Sequence, residues 1–312
     1  MVLGAALRRI APAAALLLSA CALAPSHPPL RASAVELADT PFFPQDIHQC
    51  GPAALATVLV ADGVAATPEA LTDEVYVPGR KGSFQAELVA AVRRHERVPV
   101  SVGAGLPALI AALDAGEPVL VLQNLGLGFW PRWHYAVVVG YEPQSDRFLL
   151  RSGTTRRETM RAQAFERTWR LGSYWAIAVA PPDAPPAFAT AASWIGAAAP
   201  FESLSRPAIA ETAYRAAVTR WPDAALPWQA LANTRYAARD LPGAEAALRE
   251  ALARAPDAAT RNNLANVLLE RGCVGAAREQ LEAIAEIPPG LSKAIAETRA
   301  AVEAAPPESC AP

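Results

Sequence analysis

The stretch Gln45-Asp46-Ile47-His48-Gln49-Cys50-Gly51-Pro52-Ala53-Ala54-Leu55 sets a cysteine at the start of an apolar, alanine-rich run. Pro52 suits the first turn of a helix, where its missing N–H would find no partner in any case. The pattern predicts a helix over Pro52 to Leu59 that begins beside Cys50. At such a start, unpaired backbone N–H groups point outward and the helix dipole favours negative charge. A thiol attacks only as thiolate, so this is a place where a cysteine gains nucleophilic character. The second half of such a pair is an imidazole to take the proton. His134 opens Tyr135-Ala136-Val137-Val138-Val139-Gly140-Tyr141, an apolar run of strand length. His48 is too close in sequence to swing onto Cys50. His27 falls in a proline-rich segment, and His95 ends a helix.

An attacked carbonyl develops negative charge and needs aimed donors. Gln45 lies five residues before Cys50 and Gln49 directly before it. A glutamine amide together with the Cys50 N–H would supply two donors. The loop Gly126-Leu127-Gly128-Phe129-Trp130-Pro131-Arg132-Trp133 precedes His134 and reads as a wall of a substrate cleft.

Around these residues the chain divides. Short helices are expected at Pro68 to Val75 with Thr67 as N-cap, Ser83 to His95, and Pro107 to Ala115 ended by Gly116. After Glu117 the period changes. Strands are expected at Pro118 to Gln123, His134 to Tyr141, Arg147 to Arg151 and Tyr174 to Val179. Helices followed by an antiparallel sheet make an α+β domain over residues 39–181. Pro181-Pro182-Asp183-Ala184-Pro185-Pro186 opens a Pro/Ala-rich linker over 182–205. Beyond it, Ala210, Tyr214, Ala217 and Pro222 recur 34 residues later as Ala244, Leu248, Ala251 and Pro256. Trp228, Leu231 and Ala232 precede the second set, and Leu264, Ala265, Gly272, Ala277, Leu281 and Ile284 form a third unit shortened by one residue. Residues 206–304 resemble about two and a half tetratricopeptide repeats, an all-α domain with a capping helix at Leu291 to Ala304 and a tail over 305–312.

The N-terminus has the shape of an export signal. Arg8 and Arg9 precede a short apolar stretch from Ile10 to Leu18, too short to span a bilayer as a mature helix. It ends in Leu18-Ser19-Ala20-Cys21, which resembles a bacterial lipobox. The resemblance implies a signal peptide over 1–20, lipid on Cys21 and a tether over 21–38. Ala22, rather than Asp, favours the outer membrane, so the expected location is the cell envelope, anchored by lipid and facing the periplasm. An oxidising compartment permits Cys273 and Cys310 to pair. The net charge of −2 offers no basic field for nucleic acid. No phosphate loop, dinucleotide fingerprint or defensible metal-ligand spacing is present, so no cofactor is expected.

Gln45 to Leu55 taken together with Trp133-His134-Tyr135 through Gly140-Tyr141 resembles the bacteriocin-processing (double-glycine leader) cysteine peptidases, and more closely their free-standing relatives. The resemblance covers about 140 residues. It implies a papain-like fold, Gln45 as oxyanion-hole residue, Cys50 as nucleophile and His134 as general base, with Gln49 the lesser candidate for the oxyanion role. The family's fourth role belongs to an Asp or Asn one hairpin after the histidine. Here that place reads Leu150-Arg151-Ser152-Gly153. Ser152 can hydrogen-bond a ring nitrogen but brings no charge. Asp146 is expected at the hairpin tip, facing solvent. The function implied is an exported cysteine peptidase acting on a peptide or protein substrate, with a protein partner on the repeats. A non-cleaving binding scaffold and a thiol transpeptidase or amidase on cell-envelope peptides remain as alternatives.

Overall fold

The computed structural model describes residues 30–45 and 49–306. Cys21, His27, Asp46, His48 and Cys310 therefore lie outside the described residues, as do the expected signal peptide, most of the tether and most of the tail.

In chain order the α+β unit comprises β1 (Val35–Glu36), α1 (Cys50–Ala61), α2 (Pro68–Val75), α3 (Gln85–Arg94), β2 (Val98–Ser101), α4 (Leu106–Asp114), β3 (Val119–Asn124), β4 (Trp133–Glu142), β5 (Arg147–Ser152), β6 (Thr155–Arg161), α5 (Ala162–Leu171) and β7 (Ala176–Ala180). The strands form one antiparallel sheet in the order β2-β7-β3-β4-β5-β6. β4 outruns β3, which pairs with it only as far as Val138, and β1 takes the vacated edge opposite Gly140 and Tyr141. Gly140 is required there, because a Cβ would stand 2.4 Å from the Val35 carbonyl oxygen.

β3 and β4 are buried on both faces, which is why they read as continuous apolar runs rather than alternating ones. On one face Leu55, Leu59 and Val92 pack against Tyr135, Val137 and Val139. On the other, Leu109, Phe165 and Trp169 pack against Val121, Ala136 and Val138. α1 is buried from Gly51 to Leu59, so it is a central helix with no solvent stripe. The Thr67 side chain caps α2 by accepting from the Ala70 N–H at 3.3 Å.

Two expected connectors are structural. Residues 30–38, the end of the expected tether, are docked: β1 joins the sheet, Leu30 N–H donates to the Tyr141 hydroxyl, and Arg31 pairs with Asp114 at 3.0 Å. The expected linker over 182–205 carries α6 (Ala191–Ala198) and α7 (Pro200–Ser203). Its Trp194 and Phe201 are fully buried in a core that runs from Val98 and Val100 of β2 into the helices behind. The Trp194 indole N–H donates to the Ala213 carbonyl at 2.9 Å. The proline cluster ends before this segment, and Trp194 stands 34 residues before Trp228. It falls on the period of the repeats, so α6 opens the first helix pair.

The all-α region continues with α8 (Pro207–Arg220), α9 (Ala225–Ala237), α10 (Leu241–Arg254), α11 (Ala258–Glu270), α12 (Val274–Glu282) and α13 (Ser292–Ala304). Ala210, Ala217, Ala244, Ala251 and Ala277, the small residues of the period, are all completely buried where helices meet. The region is bound to the first unit twice, through the shared core and through Arg206, whose guanidinium donates to the Arg93 and Arg94 carbonyls at the end of α3. Cys273 at the N-cap of α12 is buried and disulfide-bonded.

Candidate active site

Cys50 is the first residue of α1, and the sheet end bearing His134 lies against it. Gln45, Cys50, Trp133, His134 and Gly153 line one cavity of about 680 Å³. Arg80, Lys81, Ser83, Phe84, Leu122 and Ser173 complete much of its wall. Gly51 permits this closeness: a Cβ there would stand 2.3 Å from the Ser83 hydroxyl.

Burial pushes the Cys50 thiol above its ordinary value, while backbone N–H groups of Tyr135, Gly51 and Cys50 itself act in the opposite direction. Burial also lowers His134; Glu158 opposes that shift and Arg132 adds to it. Both displacements favour the uncharged thiol and the uncharged imidazole.

The Ser152 hydroxyl lies 2.9 Å from His134 Nε2. That contact occupies one ring nitrogen. Ser152, the residue named for the orienting role, is buried. Gln45 is tied to the next residue from both ends. Its backbone N–H donates to the Gly153 carbonyl at 3.0 Å, and the Gly153 N–H donates to Gln45 Oε1 at 3.2 Å. The amide is thereby oriented with its carbonyl toward Gly153, which leaves Nε2 as the free donor. Gln49 caps α1 through its backbone and is not part of the cavity wall.

Arg151 completes the arrangement. Its buried guanidinium donates to the carbonyls of Thr40 at 3.1 Å, Ala38 at 3.2 Å and Arg156 at 2.9 Å. It pins the turn that leads toward Gln45. Arg151, Ser152 and Gly153, three consecutive residues, hold that turn, the imidazole and the amide respectively.

Two expectations need correction. Of the aromatic loop before His134, Trp133 lines the cavity, whereas Phe129 and Trp130 project away from it into solvent. Asp146 sits at the β4–β5 tip, but it is half-buried and accepts from the Tyr141 hydroxyl at 2.8 Å instead of facing solvent freely. His95 is distant in role, bonded to Glu74 at 3.2 Å. Arg151 and Gly153 were quoted with Ser152, but their part in holding the site was not foreseen. The available signal was Gly153-Thr154 as a two-residue turn between strands, where Gly153 takes φ +54°.

With this geometry the comparison with known proteins is direct. Residues 37–177 match the Peptidase_C39 like family. The C39-like match spans the α+β unit and stops before the helices that follow. It gives that unit a cysteine-peptidase-like character and a papain-like fold. Among solved structures, a Bacillus anthracis protein described as a C39-like peptidase is similar with a TM-score of 0.41 and 18% identity, over 47% of this chain and 98% of its own. A double glycine motif protease from an AMS/PCAT transporter, in complex with its leader peptide, gives 0.37 and 17% over 48% and 99%. The peptidase domain of Streptococcus ComA, a bifunctional ABC transporter involved in quorum sensing, gives 0.36 and 20% over 46% and 98%. Among curated proteins none matches the chain.

Proposed function

We propose that the protein is an exported, lipid-anchored cysteine peptidase of the cell envelope that cleaves a peptide bond with Cys50 and His134. The observation that carries this is the convergence of Gln45, Cys50 and His134 on one cavity, with Ser152 on the far nitrogen of the imidazole. In the first step the Cys50 proton passes to His134 Nδ1 as sulfur bonds to the carbonyl carbon. The carbonyl oxygen becomes an oxyanion held by Gln45 Nε2 and the Cys50 N–H. The C–N bond then breaks, and His134 returns the proton to the departing amine. Water attacks the thioester, giving a proton to His134, and the C–S bond breaks to regenerate the thiol and release the acid.

The lipid anchor rests on Cys21 and the residues before it, and an outer-membrane, periplasm-facing position rests on Ala22. The helical region is proposed to be about two and a half tetratricopeptide repeats that bind a protein partner, supported by the 34-residue period and the buried small residues.

A second reading, a peptide-binding scaffold that no longer cleaves, is favoured by one observation. Burial works against both charged forms, and Ser152 supplies no charge to offset it. The test is iodoacetamide labelling of Cys50 across pH in wild type, Cys50→Ser and His134→Ala, followed by a peptide-library cleavage screen. Labelling at Cys50 that slows in His134→Ala, with Cys50-dependent cleavage, supports the peptidase. Labelling indifferent to His134 and no cleavage leave the scaffold.

A further inference from the structure

The loop between β3 and β4 is a rigid apolar prong. Asn124, buried at its base, accepts from the Gly126 and Arg132 N–H groups, each at 2.9 Å, and donates to the Leu127 carbonyl at 3.4 Å. Leu125 N–H donates to the Arg132 carbonyl, and Leu127 and Trp130 exchange backbone hydrogen bonds at 3.1 Å. Gly126 cannot be replaced without a clash, since a Cβ would meet the Trp130 carbonyl oxygen at 2.3 Å. At the tip of this ordered frame, Leu127 is 59% exposed, Phe129 84% and Trp130 74%.

Those exposures describe a convex object. Phe129 and Trp130 keep most of their surface in solvent, and Leu127 beside them keeps more than half. A peptide lying in the cleft would touch Trp133, at the prong's base, but could not enclose Phe129. A medium that surrounds the tip is required to bury it, and the membrane interface is such a medium. Indole rings favour the headgroup level, and apolar side chains beside them enter the acyl boundary. The charges around the prong agree. Arg132 follows it directly, and Arg80 and Lys81 stand on the same cavity rim as Trp133. The segments 76–85, 124–135 and 170–175 contain no carboxylate, although Glu158 acts on His134 and Glu87 on Tyr135 behind them. Cations beside an apolar tip fit an anionic lipid surface.

We propose that the Leu127–Phe129–Trp130 prong inserts into an anionic membrane surface, holding the mouth of the Cys50 cleft against the bilayer. Leu30, the first described residue, meets the sheet near Tyr141, at the opposite end of β4 from Trp133, so the prong is not the docking point of the segment that leads into the sheet.

The test uses the full chain with Cys21→Ser, so that no lipid is attached, and vesicles of phosphatidylcholine and phosphatidylglycerol with brominated acyl chains. Bromine should quench tryptophan emission, and Trp130→Phe should remove most of that quenching while binding persists. Phe129→Ser with Trp130→Ser should lower partitioning at least about tenfold. Each of Arg80→Gln and Lys81→Gln should lower it about fivefold on anionic vesicles, with little change on pure phosphatidylcholine. The Cys50 alkylation rate in Phe129→Ser/Trp130→Ser checks that the fold is intact. Quenching unchanged in Trp130→Phe, or partitioning unchanged in the double variant, overturns the proposal. So does a double variant that binds vesicles normally but raises the KM for a peptide, which would assign the prong to substrate.

Discussion

Replacing Ser152 by Asp should convert the neutral thiol–imidazole pair toward the ionic one. The Ser152 hydroxyl stands 2.9 Å from His134 Nε2 and is only 6% exposed, so a carboxylate there would face the ring at close range with little water between. Two unit charges about 4 Å apart attract by about 4 kcal/mol at an effective dielectric of about 20. Burying the new carboxylate opposes this by several kcal/mol, as for any buried charge. The net effect on the histidine falls in the range of about one to three pK units upward, as seen for oppositely charged neighbours. Each unit shifts the proton-transfer equilibrium from Cys50 to His134 about tenfold.

The substitution acts on the tautomer as well. A hydroxyl both donates and accepts, so Ser152 is compatible with a proton on either ring nitrogen. A carboxylate only accepts, which fixes the proton on Nε2 and leaves Nδ1 free as base. The assay is the pH dependence of Cys50 alkylation, with Ser152→Asn as the control that orients without charge. Ser152→Asp should lower the apparent pKa of Cys50 by about one to three units and raise alkylation at neutral pH at least about tenfold. Ser152→Asn should sharpen orientation with a smaller gain. A folded Ser152→Asp protein that alkylates no faster than wild type would refute the view that the missing charge limits the thiolate.

Three further perturbations test the surrounding frame. Gly51→Ala forces a Cβ toward the Ser83 hydroxyl and should lower stability by about 1–3 kcal/mol in urea titration, together with slower Cys50 alkylation. Trp194→Ala empties the core shared by β2 and the helices and should cost about 3–5 kcal/mol; a loss below about 1 kcal/mol would return this segment to a linker. Glu117 is raised to about 7, first by burial and then by the neighbouring Asp62. The folded state therefore holds its proton more tightly than the unfolded chain, and stability falls as pH rises from about 4.5 to about 7. Glu117→Gln should melt higher than wild type at pH 8, with the gap closing as pH falls through that window.

What the sequence made legible follows from burial. β3 and β4 lie under helices on both faces, so their runs were unbroken; α2 carried the Thr67 cap, and α3 and α4 carried apolar faces. The strands that escaped notice lie at the sheet edges. β2 holds Pro99 within a four-residue strand, which an edge position tolerates. β6 is a polar, mostly exposed run at the other edge, so no alternation of apolar residues marked it. α5 did carry a signal, Phe165 and Trp169 one turn apart and both fully buried, but it was masked by the charged strand before it. In the expected linker, proline content outweighed the 34-residue spacing of Trp194 and Trp228.

The candidate site divides along the same line, between residues that carry chemistry and residues that hold them. Cys50, His134 and Gln45, which line one cavity, stood out in the sequence because the proposed chemistry calls for particular side chains in particular local settings. Their relation did not, because it runs through backbone groups that any residue possesses. The Gly153 N–H and carbonyl fix Gln45, and three carbonyls of unrelated residues receive Arg151. Ser152 joins this frame to the imidazole. A shift of the β5–β6 turn would therefore move Gln45 and His134 together. That coupling gives the turn a stronger hold on the site than the loss of a carboxylate at one of its residues would suggest.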